Sequence, residues 1–309
     1  MDDYKVTVVV CTYNRAEILK HCLHSLVEQD AAKNLFEVIV VDNNSNDNTA
    51  EVSQRFVENN SNFRVIYEKE QGLSYARNRG FKAARTNHVA YLDDDARALR
   101  NYINRMIWVI DNFDFDAFGG RYVPWYLFPR PKWFLDKYGS NGYKLEKIGI
   151  LEDNFIDGGV SFFKKKALES LGGFSTDLGM KGGKIAYGEE TNLQIKMRKS
   201  GLKIGFDPDL VVEHLVDNYK YNFCWFMKSA YANGRDSWAI FQLMPTWSIV
   251  FRKYVSFIYE LFVNISKYTP KLAQHNYFIQ NWCIDTIAPS LNIIGSLVSA
   301  IKLLFYRHA

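Results

Sequence analysis

Asp93, Asp94 and Asp95 stand side by side where an apolar segment, His88 to Leu92, runs out. Adjacent carboxylates repel one another, and a chain that closes a buried strand with three of them calls for a cation there. Oxygen ligands at a strand end suit Mg²⁺ or Mn²⁺, hard ions that keep open positions for phosphate oxygens. The same residues also read as a solvated acidic turn capping a helix that starts near Leu99, because Asp is favoured at helix N-termini. A second acidic group, Glu189-Glu190, opens a predicted helix behind a glycine-rich stretch ending at Gly188. Two acids there can supply a general base, or can simply stabilise the first helical turn. His214 closes the apolar run Val211-Val212-Glu213, where an imidazole can ligate a metal or serve only structure.

Repeating strand–helix units must position these groups. Val6 to Cys11 is a β-branched apolar run, and after Thr12-Tyr13-Asn14 the residues Ala16, Leu19, Leu23, Leu26 and Val27 recur at helical spacing. The unit repeats three times: Phe36–Val41 with a helix over 49–57, Phe63–Tyr67 with a helix over 73–84, and His88–Leu92 with a helix over 99–110. Strands apolar along their whole length, alternating with helices, predict an α/β fold whose mostly parallel sheet is covered on both faces. Ligands in such sheets bind beyond the carboxyl ends of the strands. The polar clusters fall there: Thr12-Tyr13-Asn14-Arg15, Asp42-Asn43-Asn44-Ser45, Glu68 to Gly72, and the triple Asp. After Phe118 the rhythm breaks into an aromatic, Pro-containing loop over 122–138. A strand over 155–163 carrying Gly158-Gly159, a helix over 164–171, a helix over 189–199 and a strand pair ending at His214 are expected next.

The 309 residues are 48% apolar with a net charge of +4, ordinary for a globular chain and too weakly basic to argue for nucleic acid. The four cysteines, Cys11, Cys22, Cys224 and Cys283, show neither zinc-ligand nor disulfide spacing, which fits a reducing compartment. Met1-Asp2-Asp3 leads into the first strand without a basic and apolar leader, so a cytoplasmic location is expected. From Tyr219 onward the pattern is helical and aromatic, with Trp225, Trp238, Trp247, Tyr254 and Phe262 interleaved by Arg252, Lys253, Lys267, Lys271, Lys302 and Arg307. Such helices suit the inner face of an anionic membrane as a peripheral contact, or packing on the first domain or a second copy. The longest uncharged stretch, 286–301, has 16 residues, short of a spanning helix.

Together these clusters resemble an inverting glycosyltransferase of family 2, the group with the GT-A fold. The resemblance rests on Val8-Val9-Val10-Cys11-Thr12-Tyr13-Asn14-Arg15, on Glu37 to Ser45, on Gly72-Leu73-Ser74-Tyr75-Ala76-Arg77-Asn78-Arg79-Gly80 and on Asp93-Asp94-Asp95 at the place of the DXD motif. It covers Val6 to about His214. It implies a GT-A domain over 1–218, with a nucleotide half to about 120 and an acceptor half beyond, and a helical extension over 219–309. It implies a nucleotide-sugar donor, UDP-linked, and a glycan or lipid-linked acceptor. Thr12, Tyr13, Asn14, Arg15, Asp42, Arg77, Asp93 and Asp94 would then hold the nucleotide, and Asp95 and His214 the Mn²⁺ or Mg²⁺. Glu190 would be the base, where the family usually has Glu-Asp; the extra methylene leaves the choice between Glu189 and Glu190 open. Asp157-Gly158-Gly159 and Trp125 would face the acceptor, with Tyr122, Tyr126 and Trp133 as stacking rings or as core.

An EF-hand over 42–53 is excluded, because its sixth position is Asp47 rather than Gly and its twelfth is Ser53 rather than Glu. A sugar nucleotidyltransferase would carry a Gly-rich phosphate loop with a basic residue after the first strand, which is absent. A catalytically idle scaffold of the same fold would not need carboxylates at every functional place.

Overall fold

The computed structural model describes residues 4–142 and 144–306, so Met1-Asp2-Asp3 and Arg307 lie outside the described residues. The chain divides into two compact units. The first comprises residues up to 125, 139–177 and 189–215. It opens with β1 (Val6–Thr12), α1 (Ala16–Val27), β2 (Phe36–Asp42), α2 (Thr49–Asn59), β3 (Phe63–Tyr67), α3 (Leu73–Ala83) and β4 (His88–Leu92). Then come β5 (Ala96–Ala98), α4 (Tyr102–Asn112), β6 (Ala117–Trp125), β7 (Gly149–Ile150), β8 (Val160–Lys164), α5 (Lys165–Ser170), α6 (Glu189–Lys199) and β9 (Ile204–Leu215).

The nine strands of the described residues form one sheet in the order β3-β2-β1-β4-β8-β6-β9-β5, with β7 also on β9. The first four are parallel, β8 is antiparallel to both β4 and β6, and β9 runs parallel to β6. The unbroken apolar reading of β1 has a simple cause. Val6, Val8 and Val10 pack into a core with α1, α2 and α4, while Val9 packs into a second core with α3, α5 and α6. Both faces are dry, so neither side of the strand needs polar residues.

Three differences from the sequence reading matter for the site. The fourth helix begins at Tyr102 rather than near Leu99, because residues 96–98 extend as β5 and pair with β9. Residues 155–159 do not extend the next strand either; the chain turns at Gly158-Gly159, and β8 starts at Val160. The expected strand pair before His214 is a single twelve-residue strand, β9, whose pairing with β6 shifts register between Gly119 and Arg121.

The second unit comprises residues 126–138, 178–188 and 216 onward. Its helices are α7 (Phe223–Phe241), α8 (Trp247–Tyr268), α9 (Ile279–Trp282) and α10 (Ala288–Tyr306), the last two joined through a π-helical turn over 283–287. Trp133 and Phe134 are buried with Val216 and Ile284, and Tyr126 packs beside them, so these rings are core. α7 and α10 touch backbone to backbone: a Cβ on Gly234 would lie 1.7 Å from the Asn292 carbonyl oxygen. The continuous run Ile279–Phe305 is 27 residues long and apolar enough to cross a membrane by length and composition, which the uncharged-stretch criterion did not register because Asp285 and Lys302 interrupt it.

Candidate active site

β1 and β2 end in register, Thr12 opposite Asp42, so their following loops rise together. Asn14 and Asn44 both adopt positive φ, 52° and 63°, a conformation that Asn tolerates better than other side chains. Asn14 ties the loops: its N–H donates to Ser45 Oγ at 3.0 Å and its side-chain oxygen accepts from Asn46 N at 2.8 Å. Asp42, 4% exposed, accepts from Ser45 N at 3.0 Å through one carboxylate oxygen. Thr12 is buried and Tyr13 half-buried beside this turn.

β4 ends in the triple Asp. β5 lies antiparallel to β9 with Ala96 opposite His214, and Leu215 N donates to the Asp95 carbonyl at 2.8 Å. That register sets His214 Nε2 3.2 Å from Asp95 Oδ1 and 3.9 Å from Asp93 Oδ2. Asp93, Asp95 and His214 each offer one ligand atom, all within 4.8 Å of one another. Two carboxylates and an imidazole at that spacing fit a divalent ion such as Mn²⁺ or Mg²⁺. Arg15 points the other way across the motif, its Nη1 donating to Asp94 Oδ1 and Asp95 Oδ2, both at 2.9 Å. Burial pushes the Asp94 carboxyl up to about 6 despite Arg15, with Asp95 adding repulsion.

Arg77 on α3 sits at the centre. Its guanidinium is buried, hydrogen-bonds Glu189 Oε1 at the start of α6, and lies 3.6 Å from Asp93 Oδ1. The rings of Phe174 and Tyr91 stand 5.4 and 5.8 Å from it. Asn78, one turn along from Ser74 on α3, accepts from Phe174 N at 2.9 Å and donates to its carbonyl at 2.8 Å, fixing that ring. Glu190 is half-buried, and its carboxyl is pushed well above the ordinary range by burial first and by the neighbouring Glu189 second, with Arg77 opposing.

Gly158 and Gly159 owe their identity to this cluster. A Cβ on Gly158 would come 2.5 Å from Arg77 Nη2, and one on Gly159 would come 2.1 Å from Asp93 Oδ2. The close approach they permit is therefore to the site's own side chains. Asp157 accepts from Asn141 Nδ2 at 2.6 Å and Lys144 Nζ at 2.5 Å. Trp125, 7% exposed, is covered on one face by Arg97, whose Cζ is 3.9 Å from the ring, and meets His21 edge-on. Tyr122 tilts over His214 with ring centroids 5.0 Å apart.

The sequence singled out Arg77, Asp93, Asp95, Glu189, Glu190 and His214 separately, and the fold gathers them. Asn43 it passed over. Buried at the end of β2, Asn43 donates to the carbonyls of Glu68 and Glu70 at 3.2 and 2.7 Å and accepts from Gly72 N at 2.8 Å. A polar residue between Asp42 and Asn44, just past a strand with no solvent face, was the available signal.

Residues 7–172, more than half of the chain, match the model of glycosyl transferase family 2. The chain belongs to that family. Glycosyltransferase AglE of Haloferax volcanii is 29% identical to it over 183 residues, 59% of either chain, so that relative extends well beyond the match. The glucosyl-dolichyl phosphate glucuronosyltransferase of the same organism is 28% identical over 242 residues, 74% of this chain and 75% of the relative. Among solved structures, a mannosyltransferase from Pyrobaculum calidifontis in complex with GDP-Man and Mn²⁺ superposes with a TM-score of 0.56 at 20% identity, covering 99% of this chain and 76% of that one. S. aureus TarS 1–349 in complex with UDP-GlcNAc gives a TM-score of 0.56 at 16% identity over 98% and 92%. The sheet of the first unit is thus that of a GT-A glycosyltransferase.

Proposed function

We propose that this family 2 enzyme moves a sugar from a UDP-linked donor to a hydroxyl of a glycan or lipid-linked acceptor with inversion, using a divalent cation. The observation that carries the reading is the paired arrangement around Arg77: an Asp-Asp-His metal-ligand set on one side and Glu189-Glu190 on the other. Asp93, Asp95 and His214 would hold Mn²⁺ or Mg²⁺, which when bound stabilises the negative charge of the departing diphosphate. Asp42, acceptor-only as a carboxylate, takes a hydrogen bond from the N–H of the base, within loops shaped by Thr12, Tyr13 and Asn14. Arg15 holds Asp94 and Asp95 in place on the ribose side.

Arg77 acts from within the site. Because its guanidinium is committed to Glu189 and Asp93, we assign it to orienting those carboxylates rather than to direct contact with the diphosphate. With Glu189 so engaged, Glu190 is the carboxylate left to take the acceptor proton, and its raised affinity for protons suits a general base. A one-step displacement with such a base inverts the anomeric centre. Asp157, braced by Asn141 and Lys144, belongs to the acceptor side, with Trp125 and Gly158-Gly159 as its framework. The lipid-linked option draws support from the glucosyl-dolichyl phosphate relative.

Incubation with a panel of UDP- and GDP-sugars, Mn²⁺ and polyprenyl-phosphate or glycan acceptors tests this. Release of UDP with formation of a glycoside of opposite anomeric configuration is expected. Sugar 1-phosphate together with UTP would mark a nucleotidyltransferase, and retained configuration would remove the single-displacement base.

A further inference from the structure

α8 presents two apolar sides where a helix of a soluble unit needs one. On the first, Val250 is buried against Trp238, Ala300 and Leu304, and Phe257 and Leu261 continue that seam half-buried. On the second, Trp247, Phe251, Tyr254, Ile258 and Phe262 fall within an arc of about 80° at helical spacing. With Phe305 of α10, whose ring centroid is 6.0 Å from that of Trp247, these side chains are 49% to 70% exposed. Scattered exposed apolar residues are ordinary, but a continuous face of large rings marks a surface that meets something apolar.

We infer that this face of α8 seats the protein on an anionic lipid surface. Charge selects that occupant over a second copy. Between Leu243 and Tyr306 there are five cations, Arg252, Lys253, Lys267, Lys271 and Lys302, against Glu260 and Asp285. Asp285 is held by Lys137 at 3.0 Å, which leaves the region more positive still. Arg252 and Lys253 lie on the flanks of α8 beside the ring face, from where long side chains can reach anionic headgroups while the acyl boundary accepts the rings; a second copy brings the same net positive charge and no complement to it. Trp and Tyr along the face suit the headgroup level, where an apolar ring body and a polar tip are both satisfied. At 22 residues α8 has the length to lie flat in one leaflet.

The inference does not depend on the transfer reaction, and flotation of the full chain tests it. Wild type should rise with phosphatidylglycerol-containing vesicles and stay below with pure phosphatidylcholine. Phe251→Glu/Phe262→Glu should stay below with both while keeping the wild-type melting temperature, since both rings are largely solvent-exposed. Arg252→Gln/Lys267→Gln should weaken partition by about fivefold per cation removed. Wild type that never rises overturns the inference. So does flotation undiminished in the Phe double variant, which would point to insertion through Ile279–Phe305, and so does a dimer by light scattering that this variant dissociates.

Discussion

Arg77→Met removes the guanidinium that touches both halves of the site. The side chains of Arg77 and Glu189 are 4% and 6% exposed, so the pair is shielded from water and salt. Breaking such a pair by deleting one partner costs about 3–5 kcal/mol, because the carboxylate left behind is buried and uncompensated. Asp93, 35% exposed and 3.6 Å away, adds less, since water screens it. At about 2 °C per kcal/mol for a chain of this size, melting should fall by about 6–10 °C. Arg77→Lys keeps the charge but not the fork, and should recover part of the stability without recovering the geometry. The activity profile carries a second signature. Glu190 must be deprotonated to act, so turnover rises as pH climbs through its elevated pKa; Arg77 opposes that elevation, and its removal moves the acidic limb further up. Differential scanning calorimetry and kcat against pH read the two effects. Melting within 2 °C of wild type together with an unmoved limb would refute the buried bridge.

Glu190→Gln should lower kcat for transfer by about 10²–10⁴ with donor affinity nearly unchanged, and Glu189→Gln should cost stability as well as rate, seen by pairing steady-state kinetics with thermal melts. Gly159→Ala drives a methyl group toward Asp93, so calorimetric Mn²⁺ affinity should drop about 10–100-fold. Asn43→Ala strands two carbonyls and an N–H at the loop junction, which should cost about 2–3 kcal/mol in urea denaturation and raise the Kd for UDP.

β1, β2 and β4 were legible because each is buried on both faces and reads as a largely apolar run between polar loops, whereas β3, at the sheet edge, is only partly buried and carries Arg64. β5 was not: Ala96-Arg97-Ala98 is three residues with no periodicity, and it is a strand only because β9 arrives beside it. Yet β5 is what brings His214 to Asp95. The individual acids and Arg77 could be picked out by type and by family motif, but the Arg77–Glu189 bridge joins residues 112 apart, a coupling no local spacing encodes. Likewise Gly158-Gly159 announced a close approach without saying to what. The second face of α8 is written in its sequence, but only the packing of Val250 against Trp238 reveals which of the two faces is left over.

Mn²⁺ binding followed by electron paramagnetic resonance probes the Asp93-Asp95-His214 set itself. Wild type should bind a single Mn²⁺, more tightly once UDP is present, and Asp95→Ala and His214→Ala should each leave the free-ion signal nearly undiminished and the enzyme without transfer activity. Equal Mn²⁺ binding in wild type and both variants, or full transfer in excess chelator, would contradict a cation-dependent site at these residues.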